Sequence, residues 1–374
     1  ARDFDMTLTS DGTAFITFAR DHQVSPQYIG AANDYSAYRI REGWTQAYNN
    51  GGYVDSVFFT AHDNYDDRTY QIYCIDEMWG YYLQMKRATL ADTTNYQNMA
   101  GGNGNIVTFD TSYNTSNNLH NTYKAGSVFI RKTGSGNGYL YATFYDDDSR
   151  SGTIPVTPKF SLASIQLTTY GPDTGLYRAY LITQANNPGL YNGIAVTSGG
   201  YPVVSYYTFT NDALNLAYDT GSYTPTTFTV RNGIATGGKY NKMVITSGDL
   251  ISISYQNSNY DLSVAVMQGV ADGVSTVTLE TNSSSGVTGF NTSICYDGSN
   301  KPYISYLNNI EINSNSALHL ARFTGATVNK ANLATQSNWE YMKAPAPIGV
   351  QSANTVIKWD GTKPVIAFKA NNYI

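Results

Sequence analysis

Apolar residues in this chain come in short runs that partly alternate with polar ones, and the runs recur as a set. Residues 292–306 read TSICYDGSNKPYISY and are followed, after a polar loop, by ALHLARF at 317–323. Residues 193–206 read GIAVTSGGYPVVSY and lead to ALNLAY at 213–218, and residues 355–368 read TVIKWDGTKPVIAF. Runs this short, rich in β-branched and aromatic side chains, predict strands rather than helices. Each set therefore predicts a strand, a tight glycine-containing turn, a second strand opening at proline, a loop and a third strand. Proline cannot donate to a sheet ladder, so Pro202, Pro302 and Pro364 suit the first position of a strand. Gly199–Gly200, Asp297–Gly298 and Asp360–Gly361 are expected to supply the positive-φ positions of two-residue hairpin turns.

Fainter copies extend the unit along the chain: MTLTSDGTAFITF at 6–18, SVFFTA at 56–61 with TYQIYCI at 69–75, SVFIR at 127–131 with YLYATFY at 139–145, and MVIT at 243–246 with LISISY at 250–255. First strands start near residues 6, 56, 127, 193, 242, 292 and 355, at spacings of 50, 71, 66, 49, 50 and 63. Short strands repeating at such a period are the signature of propeller blades. Outer fourth strands are predicted at 226–230, 275–279 and 339–342. The expected fold is all-β: a β-propeller of four-stranded antiparallel blades around a central channel, seven by the count of first strands, six with an irregular closure. Residues 1–374 form a single domain on this reading. The seventh blade has no sequence left for its outer strands and the first residue is not Met, so the chain reads as excised or processed from a larger protein.

The unit Ser-Ile-x-x-Asp-x-x-x-Pro-x-Ile-Ser-Tyr…Leu-x-x-Ala is carried best by residues 292–323 and 193–218. It resembles the degenerate bacterial propeller repeats whose cleaner copies read SIALDSNGNPHISYYD…LKYA. The resemblance spans most of the chain at the level of architecture. It implies a secreted or surface-exposed protein and leaves the activity open. Kelch and WD-repeat signatures are not in register here.

Composition narrows the partners. Charged residues are 14% of the chain, well under the ~25% of an average soluble domain. The 23 Lys and Arg are scattered, whereas neutralising a phosphate backbone needs them clustered, so nucleic acid is not an expected partner. No uninterrupted apolar stretch is long enough to span a membrane, and the opening Ala1-Arg2-Asp3-Phe4-Asp5 is not a signal sequence. Cys74 and Cys295 sit in strand-like runs and read as buried free thiols.

In a meander blade, the loops between strands two and three and those joining blades share one face. Here those loops are long and rich in Tyr, Trp, Asn and Asp, and long loops on a rigid scaffold are where function concentrates. Ligand contacts are expected from Asp76, Glu77 and Trp79, and from His22, Tyr28, Arg150, Asn211 and Tyr260. A Trp face stacks on sugars and carboxylates accept from hydroxyls, although a Trp packed between blades beside solvated acids is the plainer reading of the first three. Asp146, Asp147 and Asp148 offer oxygen ligands to calcium, the one candidate ion, but lack EF-hand spacing and read more plainly as a solvated loop. No other cofactor is expected. His22 and His120 fall in loops with nothing to pair them, and His319 alternates within a strand as a packed or blade-surface residue.

No catalytic constellation is legible. The 11 Arg are dispersed and no sialidase-type Asp-box turn occurs. A propeller glycosidase needs two carboxylates flanking the scissile bond, which the many Asp can supply. The leading expectation is a secreted or surface propeller that binds a glycan or protein without turning it over. The rivals are a polysaccharide-cleaving hydrolase or lyase, and a structural module of a larger surface protein.

Overall fold

The computed structural model describes residues 4–9, 12, 14–19, 34–40, 44–51, 54–63, 68–77, 80–89, 97–98, 105–106, 123–131, 138–146, 159–167, 177–183, 185–186, 188–281, 287–309, 317–343 and 355–368. They fall into two compact units: Ala1–Ala185 with Tyr223–Thr227, and Asn186–Ser222 with Phe228–Ile374.

Three sheets make up the first unit. One runs β1 (Phe4–Leu8), β2 (Ala14–Ala19), β3 (Asp34–Ile40) and β4 (Trp44–Gly51) in meander order. The second runs β5 (Val54–Asp63), β6 (Arg68–Glu77) and β7 (Gly80–Thr89), with the short β8 (Gln97–Asn98) and β9 (Asn105–Ile106) both on β7. The third runs β10 (Tyr123–Arg131), β11 (Gly138–Asp146), β12 (Lys159–Leu167) and β13 (Tyr177–Thr183). Within this unit β5 lies between β1 and β10.

The second unit repeats the plan. Its fourth sheet holds β14 (Pro188–Val196), β15 (Pro202–Thr208), β16 (Ala213–Tyr218) and β17 (Thr229–Thr236). The fifth holds β18 (Lys239–Ile245), β19 (Leu250–Gln256), β20 (Leu262–Gln268) and β21 (Ser275–Glu280). The sixth holds β22 (Val287–Tyr296), β23 (Pro302–Asn309), β24 (Ala317–Phe323) and β25 (Trp339–Lys343), with the one-turn helix α1 (Lys330–Leu333) before its last strand. The seventh shows β26 (Thr355–Trp359) and β27 (Pro364–Phe368) among the described residues. The first strands β14, β18, β22 and β26 lie side by side in that order. All seven first strands thus begin within five residues of the positions read from the sequence.

Stacking sheet on sheet buries both faces of the middle strands. Every residue of β15 and β19 is buried, which is why these runs alternate only partly. Leu262, Val264 and Val266 of β20 pack with Ile304, Tyr306 and Phe323 of the next sheet, around Leu333 of α1 and Trp339. The Trp339 indole N–H finds the Leu333 carbonyl at 3.0 Å, so its polar end is satisfied inside this core.

The repeated Ser-Tyr of the second strand has a physical role in joining neighbours. Ser205 donates to Asn241 Oδ1 of the next first strand at 2.7 Å, and Asn241 Nδ2 donates to the Tyr191 carbonyl at 2.9 Å. One sheet on, Ser254 and Thr292 share a 2.8 Å hydrogen bond while Thr292 donates to the Tyr240 carbonyl at 2.7 Å. Further still, Ser305 and Thr355 bond at 2.9 Å and Thr355 donates to the Asn291 carbonyl at 2.8 Å. Each serine thus reaches, through one polar residue, the bulged start of its own first strand. Gly238 and Gly289, both at positive φ, let those starts lie against the preceding sheet: a Cβ there would come within 2.9 Å and 2.8 Å of the Leu214 and Leu262 backbones.

Two sequence expectations are corrected. The turns between first and second strands are not two-residue hairpins: Val196 pairs with Pro202 and Tyr296 with Pro302, leaving five-residue loops. Asp297 is there for its carboxylate, which accepts from the Ser299 and Lys301 amides at 2.7 Å and 2.9 Å, and Asn300 rather than Gly298 takes the positive φ. The predicted strand at 226–230 is β17 at 229–236, because residues 223–227 belong to the first unit, where the Tyr141 hydroxyl donates to the Tyr223 carbonyl at 2.8 Å.

Candidate functional site

The richest chemistry among the described residues lies where the first strands of the second unit begin. There Tyr191, Tyr240 and Phe290 occupy matching places, each followed by asparagine (Asn192, Asn241, Asn291), and each strand is bulged against its neighbour. A bulge re-aims a side chain at the cost of a ladder bond and is common beside functional sites. Tyr240 itself is held at φ 56°, a left-handed backbone that is an outlier for an aromatic residue and persists only where surroundings enforce it.

The result is a continuous aromatic rim. The ring of Tyr240 stands 4.4 Å from that of Tyr191 and 4.3 Å from that of Phe290. Tyr207 and Phe209, at the end of β15, add rings 6.0 Å and 6.3 Å from Tyr191. Tyr260, in the loop between β19 and β20, is 47% exposed and Phe209 40%, while Tyr191, Tyr240 and Phe290 are half-buried. Lys239 Nζ lies 5.4 Å from the Tyr260 ring centroid. The Tyr207 hydroxyl donates to Asp212 Oδ1 at 2.7 Å, and burial together with that carboxylate raises its pKa above the ordinary tyrosine range. Burial, then the hydrogen bond with Tyr191, does the same to Tyr240. These hydroxyls are therefore neutral hydrogen-bonding groups at any physiological pH.

A polar cluster adjoins the rim. The Tyr260 carbonyl accepts from the Thr288 amide at 3.0 Å, and the Thr288 hydroxyl approaches Glu280 Oε2 at 3.4 Å. Glu280, the last residue of β21, faces the sixth sheet and accepts from the Tyr306 hydroxyl, from Asn308 Nδ2 at 3.1 Å and from His319 Nδ1 at 3.3 Å. Tyr306 and His319 are directly opposed across β23 and β24, and Asn308 is two residues along on the same face. Burial pushes the Glu280 pKa up, but the hydrogen bonds from His319 and Tyr306, the His319 charge and Asn308 outweigh it and hold the carboxyl below the usual glutamate range. Burial and the Glu280 charge drive Tyr306 in the opposite direction.

The structure brings two of the sequence-predicted ligand residues to this end of the sheets, Asn211 in the exposed turn before β16 and Tyr260 on the rim. Asp76 and Glu77 close β6 without described side chains. Trp79, His22, Tyr28 and Arg150 lie outside the described residues. Of the candidate calcium ligands, Asp146 ends β11 without a described side chain, and Asp147 and Asp148 lie outside. Among the described residues, no group of three or more His, Cys, Asp and Glu is placed to hold a metal ion. Cys295 is a buried free thiol, its pKa pushed up to about 12 by burial.

Sequence reading missed Tyr191, Tyr240 and Phe290, although the aromatic-Asn pair recurring at spacings of 49 and 50 was there to be seen. It also passed over Glu280, one of only five glutamates, because its partners are 26 to 39 residues away.

No protein-family model and no curated protein matches the sequence. The fold does have solved counterparts. A protein of unknown function from Dyadobacter fermentans superimposes with a TM-score of 0.52 at 12% identity, covering 85% of this chain and 93% of that one. A mutant of the α-L-arabinofuranosidase Arb93A from Fusarium graminearum, in complex with an iminosugar inhibitor, superimposes with a TM-score of 0.50 at 9% identity, covering 81% and 87%. A PL25 ulvan lyase gives 0.49 at 9% identity, covering 85% and 75%. Taken with the succession of antiparallel meander sheets, the first two of these place the chain in the β-propeller class. Among the described residues no helix is long and apolar enough to cross a membrane.

Proposed function

We propose that this protein is a carbohydrate-active propeller that takes a polysaccharide along its aromatic rim and cleaves it. The observation that carries the reading is the run of rings from Phe209 through Tyr191 and Tyr240 to Phe290, backed by the buried ring of Tyr207 and flanked by exposed Tyr260. Rings with neutral hydroxyls offer sugars both an apolar face to stack on and hydrogen-bond partners for their hydroxyls. Support for cleavage over adhesion comes from the arabinofuranosidase that shares the fold and was solved with an iminosugar inhibitor. Glycoside hydrolysis requires a pair of carboxyl groups, and Asp212 and Glu280 stand at this end of the sheets, each already oriented by a tyrosine hydroxyl. Glycan contact at this surface also suits a secreted or surface location.

The test is incubation with a panel of neutral and acidic polysaccharides, reading new reducing ends and unsaturated products separately. Release of reducing ends from at least one is expected, and Tyr240→Ala should raise KM roughly tenfold, the equivalent of ~1.4 kcal/mol of binding, with an unchanged near-ultraviolet dichroism spectrum. Binding without product would leave an adhesin in its place; neither binding nor product would remove the rim as a glycan site.

A further inference from the structure

The turn before the third strand recurs in the fourth and fifth sheets, and one residue of it changes character. Ser205 pairs with Gly193 and Leu216, and Ser254 with Lys242 and Val264. In that register Tyr260 stands where the fourth sheet has Asp212, and Lys239 where it has Leu190. The backbone agrees. The Asp212 and Tyr260 amides donate to the Phe209 and Asn257 carbonyls at 3.4 Å and 3.0 Å, and their own carbonyls accept from the Gly237 and Thr288 amides at 2.8 Å and 3.0 Å. Both residues sit in left-handed backbone, at φ 44° and 63°.

Asp tolerates that backbone, whereas a tyrosine in it is an outlier. Asp212 also accepts from the Tyr207 hydroxyl at 2.7 Å. In the fifth sheet the place of Tyr207 is taken by Gln256, whose side chain donates to the Thr288 carbonyl at 2.8 Å instead. Among the described residues the Tyr260 side chain makes no hydrogen bond and no contact with another ring, and it is 47% exposed. A large ring at the surface gains little from burial to offset its strained backbone, and such outliers cluster at ligand clamps. Its charged neighbour is half-buried Lys239, with Nζ 5.4 Å from the ring centroid. A ring orients a cation while leaving its three N–H donors free. Arg322 and Lys330 of the same unit are engaged by Glu340 and Asp272, both at 2.7 Å, but no described carboxylate lies within 4 Å of Lys239.

We propose that Tyr260 and Lys239 form a subsite for an acidic sugar residue on the aromatic rim, with the Tyr260 ring stacking on the sugar and Lys239 Nζ donating to its carboxylate or sulfate. The inference rests on the glycan reading above and adds a substrate class to it: anionic polysaccharide. A hydrogen bond between two charged groups is roughly twice as strong as a neutral one, and at a half-buried position it is screened less than on open surface. The chain as a whole carries a net charge of -5, which opposes an acidic polymer at long range. A preference for one therefore has to come from a local cation.

Variants expected to fold are at hand. Lys239→Leu installs the residue that the fourth sheet carries in the same register, Lys239→Arg keeps the charge, and Tyr260→Asn suits the left-handed backbone. Oligogalacturonate and a sulfated galactan oligosaccharide are titrated into the full chain against neutral galactan and arabinan oligosaccharides of the same length. The expected result is roughly tenfold tighter binding of an acidic probe than of a neutral one, falling as salt is added. Lys239→Leu should abolish that preference with neutral affinity unchanged, and Lys239→Arg should keep it. Tyr260→Asn should weaken acidic and neutral probes alike while its melting temperature stays level or rises, because strain is relieved. Binding of one acidic probe alone supports the subsite and identifies its anion. A neutral preference in wild type, or an acidic preference that survives Lys239→Leu, overturns the substrate class with the rim reading intact. Unchanged affinity in Tyr260→Asn overturns the subsite. Failure of wild type to bind any probe overturns the rim reading itself, and the subsite with it.

Discussion

Replacing Asn241 by alanine should lower the free energy of unfolding by about 3–5 kcal/mol, as much as truncating a large core side chain. The side chain is fully buried and answers three groups at once: it accepts from Ser205 and donates to the Tyr191 and Gly238 carbonyls at 2.9 Å and 2.8 Å. Each buried partner left unmatched costs about 1–3 kcal/mol, more than the hydrogen bond itself contributes. The same residue fixes the carbonyl of a rim tyrosine, so the loss should extend to glycan affinity. Thr292→Val, which removes the equivalent hydroxyl at constant shape, should cost about 1–2 kcal/mol. Denaturant unfolding of the three proteins measures both, and a loss below about 1 kcal/mol for Asn241→Ala would mean that these repeated hydrogen bonds do not tie the sheets together.

Glu280→Gln should cost about 2 kcal/mol at neutral pH, since the amide cannot accept from Tyr306, Asn308 and His319 together and loses the charge that strengthens those bonds. The sharper signature is in the pH dependence. The Glu280 carboxyl has its folded pKa depressed, so its contribution is fully present above the unfolded value of about 4.3 and disappears as pH falls through the folded value below it. Wild type should therefore lose more stability than Glu280→Gln between pH 5 and strongly acidic solution, and the two curves should converge there. Parallel curves would show that the carboxylate gains nothing from its three partners. Activity should fall together with stability if the cluster feeds the rim, which separates this position from a core residue that only packs.

Much of this molecule is legible in one dimension because each sheet is local. Four strands joined in meander order pair with their sequence neighbours, so periodic apolar runs and turn residues suffice to place them, and Pro202, Pro302 and Pro364 do open second strands. Tyr260 and Asn211, singled out in long loops, do fall at the end of the sheets where the rim lies. The rim escaped because its signal is a pair of residues in an otherwise apolar strand, and its aromatic character reads as core until a bulge turns it outward.

What the sequence by itself determined is the repeat: an all-β chain, its seven first strands, and the Ser-Tyr and Leu-x-Leu-Ala registers that recur with them. These follow from hydrogen bonding and burial between residues close along the chain. Tertiary structure alone decided what those registers do, since Ser205 meets Asn241 and Glu280 meets His319 only when one sheet is laid on the next. Charge and hydrogen bonding act over a few ångströms of space regardless of sequence separation, so a carboxylate that looks solitary in the text becomes the centre of a cluster in the fold.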